Sequence, residues 1–433
     1  MALQVGFILL FGFLILLFLG VPIAIGLAIP SIAAMVITLY TFDVAAFSGA
    51  QALFTNMSSF TLNAIPFFVL SGVMMSHGGI SRRLINFAKL LIGRLPGSLA
   101  HTNILSNMLF GAISGSAVAS ATSIGGVMKP LQDEEGYDPE FSTAVNAVSA
   151  PTGLLIPPSN TLILYSVVSG GTSIATLFVA GYVPGILWGL SCMVMAYFIA
   201  RKKGYPVGEK VGMKEAARIT VQALPALSLI IIVVGGIIFG FFTPTEGSAI
   251  AVFYALILML CYRTFSIKDI PAMLLQTAKT TGTVMFLIGA SSMMIHIMTI
   301  AGIPNAIAKA ILSITENPYI IMLILILFLL FIGTFMDIAP AVLIFTPIFL
   351  PVVKNFGMDV VHFGVFITFA MCIGGITPPV GNILFAASAV SKVPIEKVIR
   401  PMLPFFVSIL AVLLLVAYIP ALSLALPKLL GLM

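Results

Sequence analysis

Charge is scarce in this sequence. Asp, Glu, Lys and Arg together make up 8% of the 433 residues and hydrophobic residues 60%, against about 25% and roughly 45–50% in soluble domains. So few charges cannot cover a water-facing surface. A nucleic-acid partner is excluded as well: the net charge of +6 comes from basic residues in short loops between apolar runs, where they set orientation in a membrane. Cysteine is almost absent. Cys192, Cys261 and Cys372 stand isolated in apolar runs, with no disulfide or metal spacing, and read as small buried hydrophobes. There is no His-Glu-x-x-His, no phosphate loop and no pair of intramembrane aspartates. Ser114-Gly115 as a nucleophile would need a histidine within hydrogen-bond reach, and none is expected at that depth. An enzyme and a resident cofactor are therefore not expected. The first apolar run lacks a basic start and a small-residue cleavage site, so residues 3–20 read as a retained span.

What is present is apolar and repeated. Mean hydropathy is +1.18, and several stretches exceed the roughly 18 residues that cross a bilayer. The second half echoes the first at a spacing of about 221 residues: Gly111 by Gly333, Pro130 by Pro351, Gly136-Tyr137-Asp138 by Gly357-Met358-Asp359, and Ile-Pro-Pro-Ser-Asn (156–160) by Ile-Thr-Pro-Pro-Val-Gly-Asn (376–382). Pro22 and Pro184 return as Pro244 and Pro404. A repeat of this length with proline-interrupted helices in matching places points to a secondary transporter with its site at the repeat interface.

The expected fold is an all-α polytopic membrane protein of two repeats, 1–218 and 219–433. Ten crossings fall at about 3–20, 24–40, 61–77, 139–168, 175–200, 219–242, 246–262, 280–299, 360–391 and 401–425. Two further apolar stretches, 98–130 and 318–351, carry small polar residues at their centres. Each arm of the first is counted at about a dozen residues, too short to span. Both read as re-entrant helical hairpins whose tips are buried by protein. Five crossings per repeat invert the second copy. With both termini outside, only Lys309, Lys354 and Lys428 of the 20 basic residues face outward, the bias that orients membrane proteins. The segments 79–95 and 302–316 read as amphipathic arms at the interface.

Four elements are expected to converge: tip 114–116, break 157–161, tip 334–340 and break 377–382. Pro157-Pro158 and Pro378-Pro379 interrupt helix, and Gly115, Gly153, Gly333, Gly374, Gly375 and Gly381 allow close backbone approach. Helix ends stopping at the midplane offer carbonyls suited to Na+. Ends starting there, near Ala117, Thr161, Ile338 and Ile383, offer N–H groups and a positive dipole suited to a carboxylate. An anionic substrate with coupled cations is thus favoured. Ser114, Ser116, Ser120, Thr122, Ser159, Asn160, Thr161, Thr334, Thr377 and Asn382 add side-chain oxygen. Asp337 is the carboxylate expected deep in the membrane, as a cation ligand or its near neighbour, as a cap for the returning helix, or as a proton relay. Other acids read as structural: Thr243-Pro244-Thr245-Glu246 as a capping box, Asp138-Pro139 as a cap, and Asp133-Glu134-Glu135 as a solvated loop. His296, within a span, reads as a packed neutral imidazole or a proton site.

With these elements placed, the chain resembles the large membrane subunit of tripartite ATP-independent periplasmic (TRAP) transporters, a family that includes C4-dicarboxylate and sialic acid uptake systems. The most specific stretches are Gly111 to Ser120 (GAISGSAVAS), 153–161 (GLLIPPSNT) and 374–382 (GGITPPVGN). The resemblance implies a bacterial or archaeal inner membrane and Na+-coupled import of an organic acid anion. It implies a small four-helix membrane subunit as a separate chain and an extracytoplasmic substrate-binding protein. It also implies elevator motion of a transport domain (mainly 98–200 and 318–425) against a lipid-embedded scaffold (mainly 1–77 and 219–299). Carried onto this sequence, one Na+ site lies between Ser114, Gly115 and Ser116 and the break at Pro158 and Asn160. A second lies between Gly333, Thr334 and Asp337 and the break at Thr377, Gly381 and Asn382. Substrate sits between them, near Ser116, Ser120, Ser159, Thr161 and Pro379. The alternative is a stand-alone ion-coupled carboxylate symporter or exchanger of the same fold.

Overall fold

A computed structural model describes every residue apart from Tyr40 and Glu209 and, at Asn56, Ala308, Ile311, Leu312 and Ile314, the backbone alone. Tyr40, the expected end of the second crossing, thus lies outside the described residues. The described residues are helical throughout, joined by short turns. The chain opens with α1 (Ala2–Phe18), α2 (Ile23–Leu39), α3 (Phe42–Met57) and α4 (Ala64–His77). The amphipathic α5 (Ile80–Ile92) leads to a hairpin of α6 (Ser98–Ser114) and α7 (Ala117–Glu134). An interrupted helix follows as α8 (Pro139–Ser149), α9 (Thr152–Leu155) and α10 (Asn160–Val168), and then α11 (Ile174–Lys203). The second half runs α12 (Met213–Ile238), α13 (Pro244–Cys261), α14 (Ile270–Ile300), arm α15 (Ile303–Ile314), hairpin α16 (Pro318–Gly333) and α17 (Ile338–Asn355), interrupted helix α18 (Val360–Gly374) and α19 (Asn382–Ser391), α20 (Ile395–Tyr418) and α21 (Ala421–Leu429).

Among the described residues, seven helical stretches are long and apolar enough to cross a membrane, including 174–203, 213–238, 267–300 and 395–418. The protein is a multi-pass membrane protein, as its composition requires. Its outer face is rich in exposed Phe, Leu and Ile, such as Phe198, Leu327 and Ile231, side chains that hydrocarbon rather than water accommodates.

Several boundaries differ from expectation for identifiable reasons. The hairpin arms are longer than a dozen residues: α6 has 17 and α7 has 18. The polar residues 98–107, which depress hydropathy, are nonetheless helical because neighbouring helices bury them. Helix α3 was not expected at all, since Asp43, Gln51 and Asn56 dilute its apolar character. The last crossing ends at Tyr418, where Ile419 precedes Pro420; a residue before proline is pushed out of the helical region. Cys261 is exposed at the end of α13 rather than buried, while Cys192 and Cys372 are buried. The acids at 133–135 close α7, where Asp133 pairs with Lys129 and Glu135 with Lys89.

The helices sort into two bodies. In the first, α14 packs on α2, α3 and α4, and α13 on α4. The second interleaves both halves of the chain: α19 of the second half lies on α7 and α8 of the first, and α10 of the first lies on α17 of the second. Trp188 seals this body, donating from Nε1 to the Val148 carbonyl at 2.8 Å, with its ring 4.7 Å from that of Phe369. The Tyr165 ring packs against Gly364, where a Cβ would fall 2.4 Å from its Cε1, and its hydroxyl donates to the Val360 carbonyl at 2.5 Å. The capping box is present: Thr243 N–H and Oγ1 both donate to Glu246 Oε2 at 2.8 Å, while Glu246 N–H donates to Thr243 Oγ1.

Asp138 occupies the N-cap position of α8 but does not cap it. Pro139 offers no N–H, and the carboxylate pairs instead with Lys203, 65 residues on. That pairing holds the Asp138 carboxyl below the usual carboxylate range. The interaction is therefore present above the ordinary carboxylate pKa and is lost as pH falls through the depressed one. Being exposed, it contributes at most about 1 kcal/mol. Asp138→Asn is expected to lower thermal stability slightly at neutral pH and to flatten the acid side of the stability profile. Superimposable acid limbs would show that the pair contributes nothing. Beside this pair the chain forms a seam. Gly208 N–H donates to the Gly93 carbonyl at 2.8 Å, and Gly97 N–H to the Pro206 carbonyl at 3.2 Å. The α5–α6 turn and the α11–α12 connection are thereby bound side by side.

Candidate functional site: two hairpin tips against two broken helices

Glycine brings each hairpin onto its interrupted helix. A Cβ on Gly153 would lie 2.2 Å from the Gly111 Cα, and one on Gly374 would lie 2.4 Å from the Gly333 Cα. Backbone thus meets backbone at both crossings, between α6 and α9 and between α16 and α18. The first tip turns on Gly115, whose φ of +60° suits glycine. Its backbone faces the break: a Cβ there would lie 3.1 Å from the Pro158 carbonyl oxygen and 3.3 Å from Asn160 Nδ2. Both Pro157-Pro158 and Pro378-Pro379 are cis. The first body touches this tip through Gly72 of α4, where a Cβ would be 3.0 Å from the Ser114 carbonyl oxygen.

The four half-helices begin at Ala117, Asn160, Ile338 and Asn382, two of them one residue earlier than expected. Ser116 caps α7 by accepting from Ala119 N–H, and Ser159 caps α10 by accepting from Leu162 N–H. Asp337 caps α17, with Ile338 N–H donating to its Oδ1 at 2.7 Å, and the same oxygen accepts from Asn382 Nδ2 at 2.6 Å. Asp337 thus both caps its helix and ties the second tip to the second break. Val380 N–H adds a bond to the Thr334 carbonyl at 3.1 Å.

The structure brings Ser114, Gly115, Ser116, Pro158 and Asn160 together at one tip, and Thr334, Asp337, Gly381 and Asn382 at the other. Oδ1 of Asn160 and Oδ1 of Asn382, at matching points of the two halves, are buried and accept no hydrogen bond. A buried amide oxygen without a donor is costly in protein alone and is a hard ligand suited to an alkali or alkaline-earth cation. Among the described residues no group of three or more His, Cys, Asp or Glu forms a metal site. Thr377 Oγ1 donates to the Ile373 carbonyl, and Thr334 Oγ1 to that of Phe331. Ser159 Oγ donates to the Leu154 carbonyl at 2.5 Å. Thr161 is buried and Pro379 exposed. Ser120 is fully buried and donates to Asn107 Oδ1 at 2.8 Å. Asp337 is exposed to a cavity of about 470 Å³ between the start of α2, the middle of α14 and the second tip, walled mainly by Ile23, Val284, Phe286, Leu287 and Pro340.

Sequence reasoning missed three features here. One is the approach of Gly72 to the first tip. Another is the bond between His296 Nε2 and Ser48 Oγ (2.9 Å), which ties α14 to the unexpected α3. The third is a cluster of buried asparagines beneath the first tip, Asn103, Asn107 and Asn146. Its signal was in the sequence, as amides within otherwise apolar stretches.

Paired hairpins and interrupted helices lie inside one multi-pass helical body. The fold, and the fold alone, is shared with a solved structure: the YdaH transporter of Alcanivorax borkumensis superposes with a TM-score of 0.55 at 15% identity, covering 86% of this chain and 87% of that one. The chain belongs to the tripartite ATP-independent periplasmic transporter family, DctM component, whose family model matches residues 10–422. It is 51% identical to the uncharacterized protein YgiK of Salmonella typhimurium over 98% of this chain and 97% of that one. It is 38% identical to the sialic acid TRAP transporter large permease protein SiaM of Vibrio cholerae, over 97% and 98%. It is 39% identical to the C4-dicarboxylate TRAP transporter large permease protein DctM of Pseudomonas aeruginosa, over 88% and 90%.

Proposed function

We propose that the protein imports an organic acid anion by Na+-coupled secondary transport across the bacterial or archaeal inner membrane. An extracytoplasmic binding protein delivers the anion, and a small membrane subunit completes the complex. The observation that carries the cation reading is the pair of donor-less amide oxygens, Asn160 and Asn382, each at the start of a half-helix beside a hairpin tip. Tip carbonyls, the Ser114 and Ser116 oxygens and Asn160 would hold one ion; the Thr334 region, Asp337 and Asn382 would hold another. The half-helix N-termini at Ala117, Asn160, Ile338 and Asn382 would face the anion's carboxylate, which their N–H groups and dipoles favour. Relatives named for sialic acid and for C4-dicarboxylates support an organic acid. The elevator reading is supported by the interleaving of both hairpins with both interrupted helices in one body, against a second body built on α14. The basic residues other than Lys309, Lys354 and Lys428 would lie in the cytoplasm and both termini outside.

Thermal unfolding in NaCl, compared with KCl at equal ionic strength, tests the coupling without knowledge of the substrate. At about 100 times Kd, a native-state ligand adds roughly 2.7 kcal/mol. A Na+-specific rise reduced by Asn160→Ala is expected. Equal curves in the two salts would remove Na+ coupling.

A further inference from the structure

The asparagine cluster beneath the first tip belongs to neither proposed cation site. Ser120, one turn below the tip residue Ser116, donates to Asn107 Oδ1 at 2.8 Å. Asn107 Nδ2 faces Asn103 Oδ1 and Asn146 Oδ1, both at 3.0 Å, and Ser149 Oγ at 2.7 Å. Asn146 Nδ2 donates to the Ala121 carbonyl at 2.8 Å, and Gly125 leaves room for it: a Cβ there would fall 2.3 Å from that nitrogen. Below lies a cavity of about 10 Å³, bordered by Asn103, Asn146, Ser142 and, toward the basic end of the hairpin, Lys129 and Gln132. Asn103 Nδ2 and Ser142 Oγ border this cavity, are buried, and have no hydrogen-bond partner.

Two physical facts bear on this column. A space of this size admits one water, and water is held where it finds two to four polar partners; the two orphaned groups supply them. Folding does not require the polarity. At the matching positions of the second half stand Leu325 for Asn103, Leu329 for Asn107, Ala341 for Ser120, Phe363 for Ser142, Ile367 for Asn146 and Ala370 for Ser149. These matching positions are apolar, with Leu325, Leu329, Phe363, Ile367 and Ala370 fully or almost fully buried; the polar side chains left in that region are the buried hydroxyls of Thr346 and Thr368. Buried polar groups that an apolar set can replace are expensive to keep without a use.

We propose that the small cavity is a water site and that the column it completes is a hydrated path within the first hairpin. The path brings water from the basic end of the body up to the residues beneath that tip. This rests on the reading of the first tip as a cation site. It makes the two halves unequal, because the second tip has no such path.

Silver ion tests it, as a monovalent cation that bonds a thiol sulfur with release of the thiol proton. Cysteine is placed at the matched positions, Ser149→Cys and Ala370→Cys, and separately Ser142→Cys, in protein whose three native cysteines are replaced. Each variant is first checked for an unchanged melting profile. After timed exposure to silver nitrate without Na+, free thiols are counted in unfolded protein. Ser149→Cys and Ser142→Cys are expected to react about tenfold faster or more than Ala370→Cys, since a bare cation is strongly disfavoured in an apolar interior. Reaction of all three at one rate would overturn the path. Should Ser149→Cys not fold, the Ser142→Cys comparison decides alone. Added Na+ separates the two readings: fast labelling that Na+ slows supports both, and fast labelling indifferent to Na+ keeps the path while removing the cation site at the tip.

Discussion

Alanine at Gly153 is expected to leave no stably folded protein. The added methyl would sit 2.2 Å from the Gly111 Cα, and what it meets is backbone, which cannot rotate away as a side-chain end would. Separating α6 from α9 would also pull Gly115 off the Pro158 carbonyl. Overpacking ordinarily costs about 1–3 kcal/mol, and a backbone clash with no soft partner lies at or above that limit. Gly374→Ala, 2.4 Å from the Gly333 Cα, is expected to do the same at the other crossing. Gly235→Ala is the contrast: it lies in α12 with nothing within 4 Å of the new methyl, and there alanine favours helix by up to about 1 kcal/mol. Monodispersity and thermal unfolding in detergent would show the difference. A wild-type melting profile for Gly153→Ala would mean that the two backbones do not touch.

The second large effect concerns Asp337. Its Oδ1 receives both the Ile338 N–H and the Asn382 amide, so the carboxylate orients Asn382 as well as supplying charge. Asp337→Asn keeps the size and removes the charge. Interactions with a charged group contribute about 1.5–3 kcal/mol, so the Na+ concentration for half-maximal transport is expected to rise about ten- to hundredfold. A half-saturation equal to wild type would reduce Asp337 to a helix cap. Uptake by the complex in proteoliposomes, with Na+ varied at constant ionic strength, measures it.

Much of this architecture could be read from residues whose signals are local. Pro157-Pro158 and Pro378-Pro379 mark the breaks, and the half-helix starts fall at or one residue before the expected positions because Ser159, Asp337 and their neighbours cap as those residue types do. Thr243 and Glu246 sit three apart and close their box within one turn. Partners far along the chain were not legible. Asp138 looks like a cap and pairs with Lys203 instead. Gly111, Gly153, Gly333 and Gly374 announce close approach but not what approaches. The bond from Ser120 to Asn107 was not legible either, because the direction a hydroxyl faces in a helix depends on the neighbours packed beside it. Helix α3 escaped notice because its polar residues lower its hydropathy, although its place against α14 makes it helical in context.

The seam at Gly93 and Gly208 has a mechanical consequence. The polypeptide passes from one body to the other both at α5 and at the link to α12, and these two crossings are spliced by backbone hydrogen bonds at one spot. A displacement of the hairpin body would load both strands together, as a double-ply hinge stiffer than either alone. Arm α15 has no comparable splice among the described residues. The hairpin body thus keeps one corner whose bracing does not depend on side-chain identity, since both bonds run from backbone to backbone.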